Sequence, residues 1–147
     1  MKLFAFILLI SSALWGQNNK INYVEVEYFH SMERHPVRIV IDSPIDKSLP
    51  ITLKTTIKKK SAQTVISNES FNKICTGILS LTPKEIVSNF SDGGDGALTT
   101  LKFGDHTNEI SYRAWGLYKN DSYGSPELVR VIQIILEIAK VKIDDLN

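Results

Sequence analysis

The sequence predicts an α+β domain, an antiparallel sheet of about five strands with two helices packed on one face. Segments in both halves of the chain alternate apolar and polar residues with a period of two, as strands with one buried face do. Two other segments repeat apolar residues at spacings of three and four, as amphipathic helices do. The predicted strands and helices do not alternate one by one along the chain, which favours α+β over repeated βαβ units.

The first two strands are predicted over residues 23–30 and 37–42, joined as a hairpin. Each places its apolar residues on one face: Val24, Val26 and Tyr28 in the first, Val37, Ile39 and Ile41 in the second. Arg38 is then expected across from Glu25 or Glu27 on a solvent-exposed face, a pairing that contributes about 0.2 to 1 kcal/mol.

A third strand is predicted over residues 51–58, where β-branched residues are frequent. The cationic run at residues 58–60 follows it and is interpreted as a solvated strand end that discourages edge-to-edge pairing. Contact with anionic envelope polymers or lipid head groups is the alternative interpretation of the same run.

The first helix is predicted over residues 67–80, with Ser67 as N-cap and Glu69 in the first turn, where the helix dipole favours an acid. Its apolar stripe contains Phe71, Ile74, Cys75, Ile78 and Leu79. Because Cys75 lies on this stripe, the sequence predicts a small core side chain there and not a reactive thiolate.

A second hairpin is predicted over residues 97–103 and 109–117, with Trp115 on the opposite face from Ile110, Tyr112 and Ala114. The second helix is predicted from Pro126 to about Lys140. Ser125, Pro126 and Glu127 supply a cap, a proline at the first helical position and an acid, which together indicate a helix start. Apolar residues cover nearly half of this helix, which is typical of a helix packed on a sheet.

The N-terminus indicates export. Met1 and Lys2 precede an unbroken apolar run at residues 3–10, and Gly16 provides a small residue before a polar stretch. This pattern is that of a secretory signal peptide over residues 1–16, and the run is shorter than the roughly 20 residues that span a bilayer. We therefore expect residues 17–147 to form a single extracytoplasmic domain, periplasmic or secreted.

The composition limits the classes of partner and the covalent links that we expect for this protein. Seventeen Lys and Arg residues against 16 Asp and Glu give a net charge of +1, without the basic excess of nucleic-acid-binding proteins. No second long apolar run is present, so the cleaved chain is not expected to be embedded in a membrane. Cys75 is the single cysteine, so no intramolecular disulfide can form.

No catalytic, cofactor-binding or metal-ligating residue is assigned from the sequence. The three histidines, His30, His35 and His106, lack the close spacing typical of metal sites. Asp92 and Asp95 lie in a glycine-rich segment that resembles a plain loop more than a calcium loop or an anion nest.

Aromatic residues provide the candidate binding surface: Trp115, Tyr118 and Tyr123, with Asp92 and Asp95 at its rim. We expect a small non-catalytic protein that binds another protein or an envelope component, with inhibitor- or immunity-type roles included. The alternative is a small extracytoplasmic hydrolase whose site assembles from Asp92, Asp95, His106 or His30. A purely structural role in the envelope is a third hypothesis.

Overall fold

The computed structural model of the chain describes residues 21–30, 36–84, 97–105, 107–115 (only the backbone at 115) and 125–142. These parts of the chain form six strands and two helices. Their order is β1 (Tyr23–His30), β2 (Val37–Asp42), β3 (Ile51–Ile57), β4 (Lys60–Ile66), α1 (Asn68–Leu79), β5 (Ala97–Gly104), β6 (Glu109–Trp115) and α2 (Pro126–Ala139).

All neighbouring strands pair antiparallel, in the spatial order β4-β3-β2-β1-β5-β6. The α+β class, the antiparallel sheet and both predicted hairpins are confirmed. The sheet has six strands and not about five, because β4 was not expected. The long connection from β4 returns the chain to β5, which pairs with β1 in the middle of the sheet.

Strand β4 follows β3 through a two-residue turn made of Lys58 and Lys59. Both residues have positive φ, 47° and 69°, and Ile57 pairs with Lys60. A two-residue turn with two positive φ angles is of type I′, which strongly favours Asn-Gly because side chains are strained there. The run at residues 58–60 is therefore not a strand end: two lysines make the turn and Lys60 starts the next strand.

Both helices pack on one face of the sheet and share one core with it. In α1 the buried side chains are Phe71, Ile74, Cys75 and Ile78, and in α2 they are Leu128, Val131, Ile132, Ile135 and Leu136. Both predicted caps are present, since the hydroxyls of Ser67 and Ser125 accept from the N–H groups of Ser70 and Leu128. Leu79 departs from its expected place in the buried stripe, because it is 59% exposed at the last turn of α1.

The opposite side of the sheet carries no helix among the described residues, and we call it the helix-free face. It contains Tyr23, Glu25, Glu27 and Phe29 of β1 and the residues in register with them. Alternation along each strand places the core residues on one side and these residues on the other. The helix-free face therefore holds most of the charged residues of the described strands.

Candidate functional site

Most residues of the expected binding surface lie outside the described part of the chain. This applies to Asp92, Asp95, Tyr118 and Tyr123, and His35 and His106 also lie outside it. His30 ends β1 and is half-buried. Within the described residues, no group of three or more His, Cys, Asp or Glu side chains could hold a metal ion.

Trp115 occupies a register position on the helix-free face, at the end of β6. Its Cα pairs with Leu98 of β5, and Leu98 pairs with Phe29 of β1. Residues directly opposite each other on paired strands share a face. Phe29, Leu98 and Trp115 therefore form one line across three strands, which we call the apolar row.

Phe29 of the apolar row is exposed to solvent. Its side chain is 44% exposed, although β1 has a paired strand on each side. Antiparallel sheets commonly turn one face to water, but polar residues usually occupy that face. Phe29 interrupts the polar pattern of this face of β1, because it lies on the same face as Glu25 and Glu27, which precede it along the strand. This apolar residue out of phase was the sequence signal for a surface that our sequence analysis did not single out.

The middle of the helix-free face contains an ionic cluster around Glu25. The Arg38 guanidinium donates from Nη2 to Glu25 Oε2 at 2.7 Å, and the Tyr23 hydroxyl donates to the same oxygen. Lys102 Nζ lies 3.8 Å from the other oxygen, Oε1. The expected pairing of Arg38 with a β1 glutamate is confirmed, but the solvent-exposed setting is wrong for Glu25, which is only 2% exposed. Side chains from β1, β2 and β5 surround it.

Burial and ion pairing change the pKa of the Glu25 carboxyl in opposite directions. Burial raises the pKa of Glu25, but the hydrogen bonds from Arg38 and Tyr23 and the charges of Arg38 and Lys102 outweigh it and lower the pKa below the ordinary value. The same hydrogen bonds also change the pKa values of Tyr23 and Arg38. Burial and the bond to Glu25 raise the pKa of Tyr23 to about 12, and the bond to Glu25 raises the pKa of Arg38.

This cluster is suited to joining strands and not to proton transfer. Glu25 stays ionised, accepts hydrogen bonds from Tyr23 and Arg38 and lies near the charge of Lys102, so it has little capacity to act as a base. Arg38 reaches it from β2 and Lys102 from β5, so the cluster ties three adjacent strands together. A buried carboxylate satisfied in this way helps to define the strand register.

Cys75 is fully buried in the core, as expected from its place on the α1 stripe. Burial raises the pKa of its thiol to about 11. The thiolate that nucleophilic chemistry requires is therefore scarce at neutral pH.

An open groove of about 390 Å³ runs between α1 and α2, with Lys73, Ser80, Glu127 and Arg130 among the side chains at its rim. Gly77 lies at its base, where an added Cβ would come 3.1 Å from Val131 Cγ2. Glycine at this position thus lets the two helices approach closely, which accounts for a residue that otherwise weakens a helix.

No family model matches the chain, and neither does any curated protein or solved structure to which it was compared. Among the described helices, none is long and apolar enough to cross a membrane.

Proposed function

We propose that this protein is an extracytoplasmic, non-catalytic binding protein that engages another protein, or another component of the cell envelope, through the apolar row. The observation that carries the proposal is the exposed ring of Phe29 on an interior strand, in register with Leu98 and Trp115. Inhibitor- and immunity-type roles are the kinds of function that such a surface serves.

Aromatic side chains are effective anchors in interfaces, because they bury a large area at a small cost in side-chain entropy. The apolar row also lies at one end of the sheet, where the chain enters β5 at Ala97 and leaves β6 at Trp115. The sequence therefore attaches the segments that contain Asp95 and Tyr118 directly to this end. We include these candidates in the proposed surface because of this adjacency in the sequence.

The extracytoplasmic setting of the proposal is supported by the signal-peptide pattern of residues 1–16. Mass spectrometry of the protein from its native cell tests it, and the expected product has lost the leader and begins near Gln17. An intact chain that still begins at Met1 and is found in the cytosol would contradict this part of the proposal.

Site-specific crosslinking tests the surface. A photo-crosslinking amino acid replaces Phe29 in the full chain, and a matched chain carries it at Ile45. Ile45 is 76% exposed and lies between β2 and β3, at the opposite end of the sheet. On irradiation in the native envelope, we expect a discrete crosslinked product from position 29 that is absent from position 45.

The second arm uses competition. An excess of the unmodified mature protein should abolish the product from position 29, and the variant Phe29→Thr should compete poorly, because it lacks the aromatic anchor. The proposal is contradicted if positions 29 and 45 give the same products, or if position 29 gives none.

A further inference from the structure

Strand β4 is an edge strand of the described sheet. It is the outermost strand of the sheet, and no described strand pairs with its outer edge. The side chains from Lys60 to Val65 are all exposed. Such an edge presents N–H and C=O groups to any extended chain that approaches. Native edges are commonly protected by proline or by charged side chains, lysine above all. β4 contains no proline, and its one charged residue, Lys60, is at its first position, so the rest of the strand carries neither protection.

An apolar groove lies beside this edge, on the helix side of the sheet. Its volume is about 400 Å³, within the roughly 300–1,000 Å³ of ligand-binding pockets. It runs between the β3–β4 hairpin and the C-terminal end of α2, and its apolar lining includes Leu53, Ile57, Ala62, Ile66, Ile138, Ala139 and Val141. Ile57, Ile66, Ile138 and Ala139 are only partly buried. The helices therefore leave part of the core surface uncovered along β4.

The charged side chains of the β3–β4 hairpin all have one sign. Residues 51–66 contain four lysines, Lys54, Lys58, Lys59 and Lys60, and no Asp or Glu. Lys140 also lines the groove, and no carboxylate does. Pairing β4 with β4 of a second copy would bring two such hairpins together without a neutralising acid, which like-charge repulsion disfavours. The surface instead fits an acidic partner.

We propose that the free edge of β4 and the adjacent groove bind an extended acidic segment of another protein as a seventh strand of the sheet. Backbone hydrogen bonds to β4 provide affinity, and alternate side chains provide specificity, as in other cases of strand addition. Apolar residues of the segment enter the groove, and acidic residues meet the lysines of the hairpin. This site lies at the edge of the sheet, away from the apolar row, and does not depend on the function proposed above.

The test begins with a displayed library of random peptides of about ten residues, the upper length of most strands, selected on the full mature domain. We expect enriched peptides with an excess of Asp and Glu and with apolar residues at alternate positions. Alternate N–H groups of an added strand face β4, and the others face away from it. Two synthetic copies of an enriched peptide are therefore N-methylated, one on each alternate set of backbone nitrogens. The copy whose methylated set faces β4 should bind at least about tenfold more weakly than the unmethylated peptide, and the other copy should not.

Matched variants locate the site. Ala62→Trp fills the groove, and Ser61→Trp places the same bulk on the other face of the same strand. We expect Ala62→Trp to weaken binding of the enriched peptide at least about tenfold and Ser61→Trp to leave its affinity unchanged. Lys60→Glu should also weaken peptide binding, whereas Lys73→Glu on α1 should not. Phe29→Thr should leave peptide binding intact, which separates this site from the apolar row.

The proposal is overturned if no peptide is enriched, or if the enriched peptides lack acidic residues. It is also overturned if both N-methylated peptides bind as tightly as the unmethylated one, or if Ala62→Trp and Lys60→Glu both bind as the parent protein does.

Discussion

The two faces of the sheet bury their side chains in different ways. The core face is covered by two helices and is almost entirely apolar, so its burial follows from alternation along each strand. On the helix-free face, the charged Glu25 is buried beside Tyr23, Arg38 and Lys102, while Phe29 remains exposed. The difference indicates that the core face provides most of the stability of the fold, while part of the other face stays in contact with solvent.

The largest effect should come from the core face. Leu101 is 0% exposed in β5, where it is in register with Val26 and Tyr112. Leu101→Ala should lower the free energy of unfolding by about 2–5 kcal/mol, since it removes buried methyl groups and leaves a cavity. Urea titration measures the change. The neighbouring variant Lys102→Ala, on the opposite face, is the control. Equal losses from the two variants would show that the faces do not differ as described.

A smaller effect is expected at the ionic cluster. Glu25→Gln should lower the free energy of unfolding at neutral pH by about 1.5–3 kcal/mol, because it removes hydrogen bonds to a charged acceptor. The double variant Glu25→Gln with Arg38→Gln should lose little more than Glu25→Gln alone, because both changes remove the same interaction. If urea titrations show that the losses in unfolding free energy of the two single variants add up in the double variant, the coupling between Glu25 and Arg38 is contradicted.

The pH dependence follows from the lowered pKa of Glu25. A carboxyl with a pKa lower in the folded than in the unfolded state stabilises the fold above the unfolded value, about 4.3, and this contribution disappears as the pH falls through the folded value. The parent protein should therefore lose stability below that pH more steeply than Glu25→Gln does. Parallel curves for the two proteins between neutral and acidic pH would contradict the assignment.

Strand β4 shows what the sequence could not reveal. Its turn contains two lysines in place of Asn-Gly, so the usual turn signal is missing, and its exposed side chains lack apolar alternation. The other five strands, both helices and both caps were predictable, because periodicity and capping chemistry are local properties of the chain. At the candidate surface, alternation along the predicted strand was enough to set the register position of Trp115 apart from those of Ile110, Tyr112 and Ala114. The burial of Glu25 and the alignment of Phe29 with Leu98 depend on strand register, which one sequence does not determine.

The turn between β3 and β4 predicts variants that are more stable than the parent protein. Replacing Lys58 by Asn and Lys59 by Gly should raise the free energy of unfolding by about 1–2 kcal/mol, because these residues adopt positive φ with little strain. Lys140→Gly is a matched change, since Lys140 also has a positive φ, 56°, at the C-cap of α2. It should stabilise the protein by about 1 kcal/mol. Thermal and urea unfolding measure both, and destabilisation by the turn variant would argue against the described β3–β4 hairpin.

The most direct test of the contrast between the two faces is the free energy of unfolding of Phe29→Thr. About half of the Phe29 ring is already in water and threonine favours strands, so we predict a loss of about 1 kcal/mol or less. A loss of about 3 kcal/mol or more, typical of a fully buried phenylalanine, would mean that the domain covers this ring itself. The apolar row would then belong to a second core and would not be available to a partner.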